Sequence, residues 1–268
     1  MVREEKEQAD AIAGRLPPGD IWLGRAGAFR PAEVDNDSEL IDALAAFAGA
    51  EGDAIDVGAG GGRVALPLAR LCRAVVAVEP SAAMRAVLEE EIARRGAGNV
   101  RIVADRWETA TVEPAELVFA SHVTYGVQEI APFLAKMDRL AVRHAALVAF
   151  TDPPQAGLAP FWPPVHGEER LRLPCADELV DVLGELGARP VVVNLPVYPP
   201  QPFGRVEGAL DELRRRLYVA PGSAADARLQ TALPKLTEER DGMLWLRDPR
   251  PRERRLIHWR GGSFAATG

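Results

Sequence analysis

Apolar and polar positions change rhythm several times along the chain. From Arg3 to Gly14 polar residues dominate, and Ala9, Ile12 and Ala13 leave a weak apolar face, which predicts a helix ended by Leu16-Pro17-Pro18-Gly19. Residues 20–31, DIWLGRAGAFRP, combine glycine with aromatic side chains and read as an irregular strap rather than a helix. Between Glu39 and Ala50, Leu40, Ile41, Leu44, Phe47 and Ala48 recur at helical spacing, with Asp37 or Ser38 as N-cap and Gly49 and Gly52 marking the end.

At Asp53 the rhythm changes to short, nearly all-apolar runs alternating with helical patterns. AIDVG is stopped by glycines, as expected of a buried parallel strand. RVALPLARLC follows as a helix, VVAVEP as a second strand, SAAMRAVLEEEIARRG as a helix capped by Ser81, and VRIVAD as a third strand. ELVFASHV, a helix over Ile130–Leu140, AALVAFTD, a helix over Asp177–Leu186 and PVVVNLPV continue the alternation. Strands separated by helices of this length predict an α/β fold with a mostly parallel sheet covered on both faces. Val206–Val219 is amphipathic, and Met243–Leu246 and Arg255–Trp259 read as a strand pair closing the sheet as an antiparallel hairpin. No repeat or linker divides the chain. It reads as one domain, with an N-terminal cap and strap over 1–52, a core over 53–150, and the rest of the sheet over 151–268.

Composition narrows the function classes. With 268 residues, 47% of them hydrophobic, the chain can bury a full-sized core. No run approaches a membrane-spanning length and the charged N-terminus does not resemble a signal peptide, so a cytoplasmic protein without membrane contact is expected. The net charge of -7 argues against a general nucleic-acid binder. Arg247, Arg250, Arg252, Arg254 and Arg255 make one locally basic stretch, which prolines and acids interrupt and which reads as a solvated connection. Cys72 and Cys175 lie far apart in sequence and read as buried small residues; no metal site is expected.

The sharpest local signal is Asp56-Val57-Gly58-Ala59-Gly60-Gly61-Gly62, placed between a strand and a helix. Glycines there let backbone N–H groups approach a nucleotide-like ligand at the carboxyl edge of the sheet. Arg63 stands where a dinucleotide fingerprint wants its third glycine, so the spacing is G-x-G-x-G through Gly58, Gly60 and Gly62, and no P-loop lysine follows. Glu79 ends the second strand, where a carboxylate can accept hydrogen bonds from both ribose hydroxyls; the alternative is an acid capping the helix that starts near Ser81. Asp105, at the end of the third strand, suits an adenine amino group or a turn of its own.

AIDVGAGGGRVALPLA, VVAVEPSAAM, VRIVAD and LVFASHV together resemble the class I S-adenosylmethionine-dependent methyltransferases of the small-molecule type, over about residues 53–150. The resemblance implies a Rossmann-like seven-stranded sheet whose last strand runs antiparallel, with S-adenosylmethionine as cofactor. It places Asp56 and Gly58 near the methionine portion, Glu79 at the ribose and Pro80 or Met84 beside adenine. Asp105 falls at the adenine amino group, Arg106 or Trp107 near the ring, and Ser121 and His122 where cofactor and acceptor meet. The fourth strand ends in ASHVTYG, without the Asn-Pro-Pro-Tyr or Asp-Pro-Pro-Tyr pattern of many amino-group nucleic-acid methyltransferases, so a small-molecule acceptor is expected. An NAD-dependent oxidoreductase and a noncatalytic S-adenosylmethionine sensor are the alternatives.

Methyl transfer from a sulfonium needs an acceptor lone pair held in line, and a base where the acceptor carries a proton. His122 is the candidate base and Tyr125 the candidate orienting group; a structural histidine is the alternative. The Pro-rich segment 153–170 reads as a lid, with Phe161 and Trp162 enclosing an acceptor and His166 as a second base, or as a small core anchoring a loop. Trp22 and Arg30 of the strap are further acceptor-binding candidates.

Overall fold

The computed structural model describes residues 1–13, 22, 26–31 and 37–264. Helix α1 (Val2–Ala13) is followed, after a 3-10 turn at Ala26–Phe29, by α2 (Ser38–Ala48). Strand and helix then alternate as β1 (Asp53–Val57), α3 (Ala65–Leu68), β2 (Ala74–Val78), α4 (Ala82–Arg95), β3 (Val100–Val103), β4 (Ala115–Ser121), α5 (Ile130–Leu140) and β5 (Ala141–Phe150). A 3-10 turn at Ala156–Phe161 and α6 (Trp162–His166) precede α7 (Ala176–Glu185) and β6 (Val191–Tyr198). The last third holds β7 (Gly204–Arg205), α8 (Val206–Arg216), α9 (Ala224–Leu236), β8 (Thr237–Arg240), β9 (Met243–Leu246) and β10 (Arg252–Arg260). No helix among the described residues is long and apolar enough to cross a membrane.

Seven strands form one sheet in the order β3-β2-β1-β4-β5-β10-β6. β1 runs parallel to β2 and β4, β2 to β3, and β4 to β5. β10 runs antiparallel to β5: the Thr151 N–H donates to Glu253 O while the Gly261 N–H donates to Arg143 O, so one strand ascends as the other descends. The strand order reverses between β1 and β4, so the loops leaving these two strands splay apart and open a crevice at their carboxyl ends.

The chain forms two compact units, where no sequence linker had suggested a division. The larger comprises residues 18–149, 176–196 and 254–268. Its β1 is buried from Ala54 to Val57, and α2 lays Leu40, Ile41, Leu44 and Ala48 against the sheet core. The helix expected over RVALPLARLC shrinks to Ala65–Leu68, because Pro67 has no N–H and the chain tightens to a 3-10 type bond from the Arg70 N–H to Pro67 O. Asp37, expected to cap α2, makes no side-chain cap bond. Its carboxylate instead pairs with Arg254, 1% exposed, which also donates from Nε to Pro196 O at 2.9 Å. The stretch from Arg247 to Arg255 is thus not simply a solvated connection: Arg252 to Arg255 lie in β10, and Arg254 is a buried partner of Asp37. Both cysteines are buried free thiols.

The smaller unit comprises residues 1–17, 150–175 and 197–253. Leu158, Phe161, Trp162, Leu213 and Leu229 lie in its apolar core, and Arg214 grips Asp226 through Nε and Nη2, both at 2.9 Å. The expected pairing of Met243–Leu246 with Arg255–Trp259 does not form. β9 pairs instead with β8 and β7 in a separate three-stranded sheet. The cause is Asp241-Gly242: Arg240 pairs with Met243 across these two residues, whose φ values of 51° and 73° suit the tight turn that matches strand twist.

Candidate active site at the carboxyl ends of the parallel strands

Gly58, Gly60 and Gly62 all have left-handed backbone, with φ of 73°, 55° and 87°. A Cβ on Gly58 would lie 2.6 Å from Val123 Cγ2, and one on Gly62 2.5 Å from Leu88 Cδ1, so these two glycines let the loop pack down. Among the described residues, the same construction at Gly60 meets only Met84 Sδ, at 3.9 Å. The loop is thus packed tightly at Gly58 and Gly62 and, among the described residues, only loosely at Gly60. The N–H groups of Gly58 and Ala59 donate to Val78 O at 2.8 and 3.2 Å, fastening the loop to the end of β2.

Glu79, 5% exposed, sits where β2 ends. Its Oε2 accepts from the Gly60 N–H and its Oε1 from the Ser81 N–H, both at 2.8 Å. One carboxylate thus joins the glycine loop to the start of α4. The Ser81 contact gives substance to the capping alternative raised by the sequence, without removing the carboxylate from the crevice edge.

Asp56, 2% exposed at the end of β1, accepts the Ala65 N–H, and its carboxyl is pushed up to about 8, first by burial and then by the Glu79 charge. The folded state therefore keeps a proton that the unfolded chain releases near the ordinary carboxylate pKa. The stabilisation is full below that range and is lost as pH rises through about 8. Urea midpoints of the wild-type protein should fall between pH 6 and pH 8.5, as order-of-magnitude bounds around that titration, and those of Asp56→Asn should fall less. Equal slopes for both proteins would place the proton elsewhere.

At the end of β4, Ser121 is partly buried and His122 takes a left-handed φ of 60°, with its N–H donating to Val148 O at 2.8 Å. A non-glycine residue in this region stores strain of about 1–2 kcal/mol. Its Nδ1 lies 2.9 Å from the hydroxyl of Tyr125, which is buried in the 3-10 turn Thr124–Gly126. Val123, between them, is the residue that fills the space beside Gly58.

Residues 55–149 match the family model described as a methyltransferase domain. This segment is a methyltransferase domain. Among solved structures the chain is similar to the YcgJ protein from Bacillus subtilis, with 14% identity, 83% of this chain and 98% of that one covered, and a TM-score of 0.56. It is similar to the magnesium protoporphyrin IX methyltransferase ChlM from Synechocystis PCC 6803, crystallised with bound S-adenosylhomocysteine, at 12% identity, 96% and 94% coverage and a TM-score of 0.52. The [4+2]-cyclase SpnF matches at 14% identity, 89% and 90% coverage and a TM-score of 0.54. At such identities these likenesses concern the fold, and the fold evidently carries more than one reaction. No curated protein sequence matches the chain.

Within that domain the Gly60 N–H is bonded to an acid held at the end of β2. On the adenine side, Pro80 is exposed, and Met84 is buried against Ala26 and Val87. Asp105 is partly exposed and spends Oδ1 on the Arg106 N–H and the Thr109 hydroxyl, both at 2.7 Å, as a turn residue does. Arg106 is exposed and faces Glu108 at 3.5 Å. Trp107, 4% exposed, donates from Nε1 to Phe133 O at 3.1 Å and lies under Lys136.

Of the strap expected at 20–31, residues 20, 21 and 23–25 lie outside the described residues. Trp22 packs edge-on against Phe29 at 4.9 Å, and Arg30 is held by Glu90 and Glu91 of α4. Phe161 and Trp162 are fully buried in the core of the smaller unit. His166 stands 4.5 Å from the Trp162 ring, donates from Nε2 to Leu217 O at 2.9 Å, and is held below the ordinary histidine pKa, chiefly by burial. Sequence reading passed over Val123 as the filler beside Gly58 and Glu91 beneath the strap, and neither carried a signal.

Proposed function

We propose that the chain transfers the methyl group of S-adenosylmethionine to an oxygen or nitrogen of a small-molecule acceptor in the cytoplasm. One observation carries the reading: Gly60, in the glycine loop, is tied by its N–H to Glu79, so the loop and the ribose acid form a single edge. Asp56 and Gly58 face the methionine portion, Glu79 the ribose, and Pro80, Met84 and Asp105 the adenine, with Arg106 at the rim. Ser121 and His122 stand at the acceptor side.

The bound cofactor supplies an electrophilic methyl already activated by the sulfonium charge. The protein's part is placement, exclusion of water and removal of the acceptor's proton. For His122 to take that proton at Nε2, its Nδ1 must carry hydrogen and donate to the Tyr125 hydroxyl oxygen, which the 2.9 Å contact allows. The net charge of -7 and the ASHVTYG strand end support a small molecule over a nucleic acid.

The test is incubation with methyl-labelled S-adenosylmethionine and a fractionated cell extract. Label is expected in the low-molecular-weight fraction, where mass analysis identifies the product. Label confined to RNA, DNA or protein would overturn the acceptor class. No transfer by a protein that binds the cofactor would overturn the activity and leave a sensor or another reaction of this fold.

A further inference from the structure

The strap residues described at 26–31 lie on the glycine loop itself. A Cβ on Gly61 would stand 2.7 Å from Phe29 O, although Gly61 has no left-handed φ, so what excludes a side chain there is the strap above it. Ala26 is buried with Met84 and Val87 of α4, directly behind the loop. Beyond Phe29 the strap is fastened by charge. Arg30 reaches Glu90 with one nitrogen and Glu91 with another, the latter at 3.0 Å, and Arg95 donates to Pro31 O at 3.3 Å.

Glu91 is the unusual member. Arg94 and Arg95 are its ordinary helical neighbours at i+3 and i+4, yet its side chain is only 3% exposed, and the third guanidinium comes from the strap. Together the arginines, Arg94 foremost, hold its carboxyl down at about 2, so it is charged at any working pH. A buried carboxylate that needs its cations to remain buried keeps the strap in register with α4.

We propose that Arg30 and Glu91 are positioning residues that latch the strap over the glycine loop, setting how fast the cofactor leaves rather than whether the loop recognises it. The proposal rests on the reading of the loop as the cofactor site. The latch acts through Phe29 and the backbone of Gly61.

The test is stopped-flow association and dissociation of S-adenosylhomocysteine with the full chain. Arg30→Ala is expected to release it about fivefold faster, the equivalent of one ion pair, while association stays within about twofold of wild type. Arg30→Lys, which retains the charge but cannot fork to both carboxylates, should fall between them. Added salt should speed release from wild type and leave Arg30→Ala nearly unchanged, because only the former has an ion pair from the strap to α4 to screen. Gly61→Ala, which displaces Phe29 without altering any charge, should release faster with wild-type salt dependence. Equal release rates for wild type and Arg30→Ala, with equal salt dependence, would overturn the latch alone. Absence of binding to wild type would overturn the cofactor reading and the latch with it.

Discussion

Glu79→Ala is expected to weaken S-adenosylhomocysteine binding by about 1–3 kcal/mol, read by calorimetry. The loss has two sources. The ribose hydroxyls lose a charged acceptor, and the Gly60 and Ser81 N–H groups lose the oxygens that fix the loop against α4. Leaving two nearly buried donors without partners also lowers stability, so the melting temperature should fall with the affinity. Glu79→Gln keeps one acceptor oxygen and should lie between. NAD is expected to bind neither variant nor wild type appreciably. Wild-type affinity in Glu79→Ala would remove this residue from the site, and a preference for NAD would replace the cofactor assignment.

His122→Ala should slow the methyl-transfer step by at least about a hundredfold for an alcohol or protonated amine, with cofactor affinity nearly unchanged. The loss should shrink at a pH where the acceptor is itself ionised, since placement then suffices. Because His122 has a φ of 60°, His122→Gly separates chemistry from strain: it removes the imidazole while relaxing the backbone. If both variants lose the same rate while the glycine form melts no lower, the imidazole acts in the reaction. A smaller loss is expected for Tyr125→Phe, which frees the tautomer at Nδ1 without removing the base. Nearly unchanged turnover in His122→Ala, with no group titrating near neutrality in wild type, would make the histidine structural.

The parallel core was legible because burial on both faces writes itself into sequence as short, nearly all-apolar runs. Ala54 to Val57 of β1 and the strand-helix step from Val78 through Ser81 to α4 carry their boundaries in glycine, Glu79 and a capping serine. The end of the chain was less legible for an opposite reason. Met243–Leu246 and Arg255–Trp259 are both strand-like, but only the turn chemistry of Asp241-Gly242 decides which strand β9 meets, and that local signal outranks the periodicity. At the site, the glycine spacing and Glu79 could be read, since each follows from backbone geometry at a strand end. The ion pairs that hold buried acids could not. Asp37 with Arg254 and Arg30 with Glu91 join residues separated by 217 and 61 positions, and nothing in a linear pattern distinguishes them from solvated charges.

The three-segment make-up of the smaller unit governs how the chain can reach its fold. Its segments 1–17, 150–175 and 197–253 bracket most of the larger unit, whose own sheet needs β10, largely within 254–268. During synthesis, α1 therefore waits for residues 150–175 and 197–253 before its partners emerge, and the sheet of the larger unit is not complete until β10 has left the ribosome. Contacts of such long sequence separation fold slowly and leave apolar surface uncovered meanwhile.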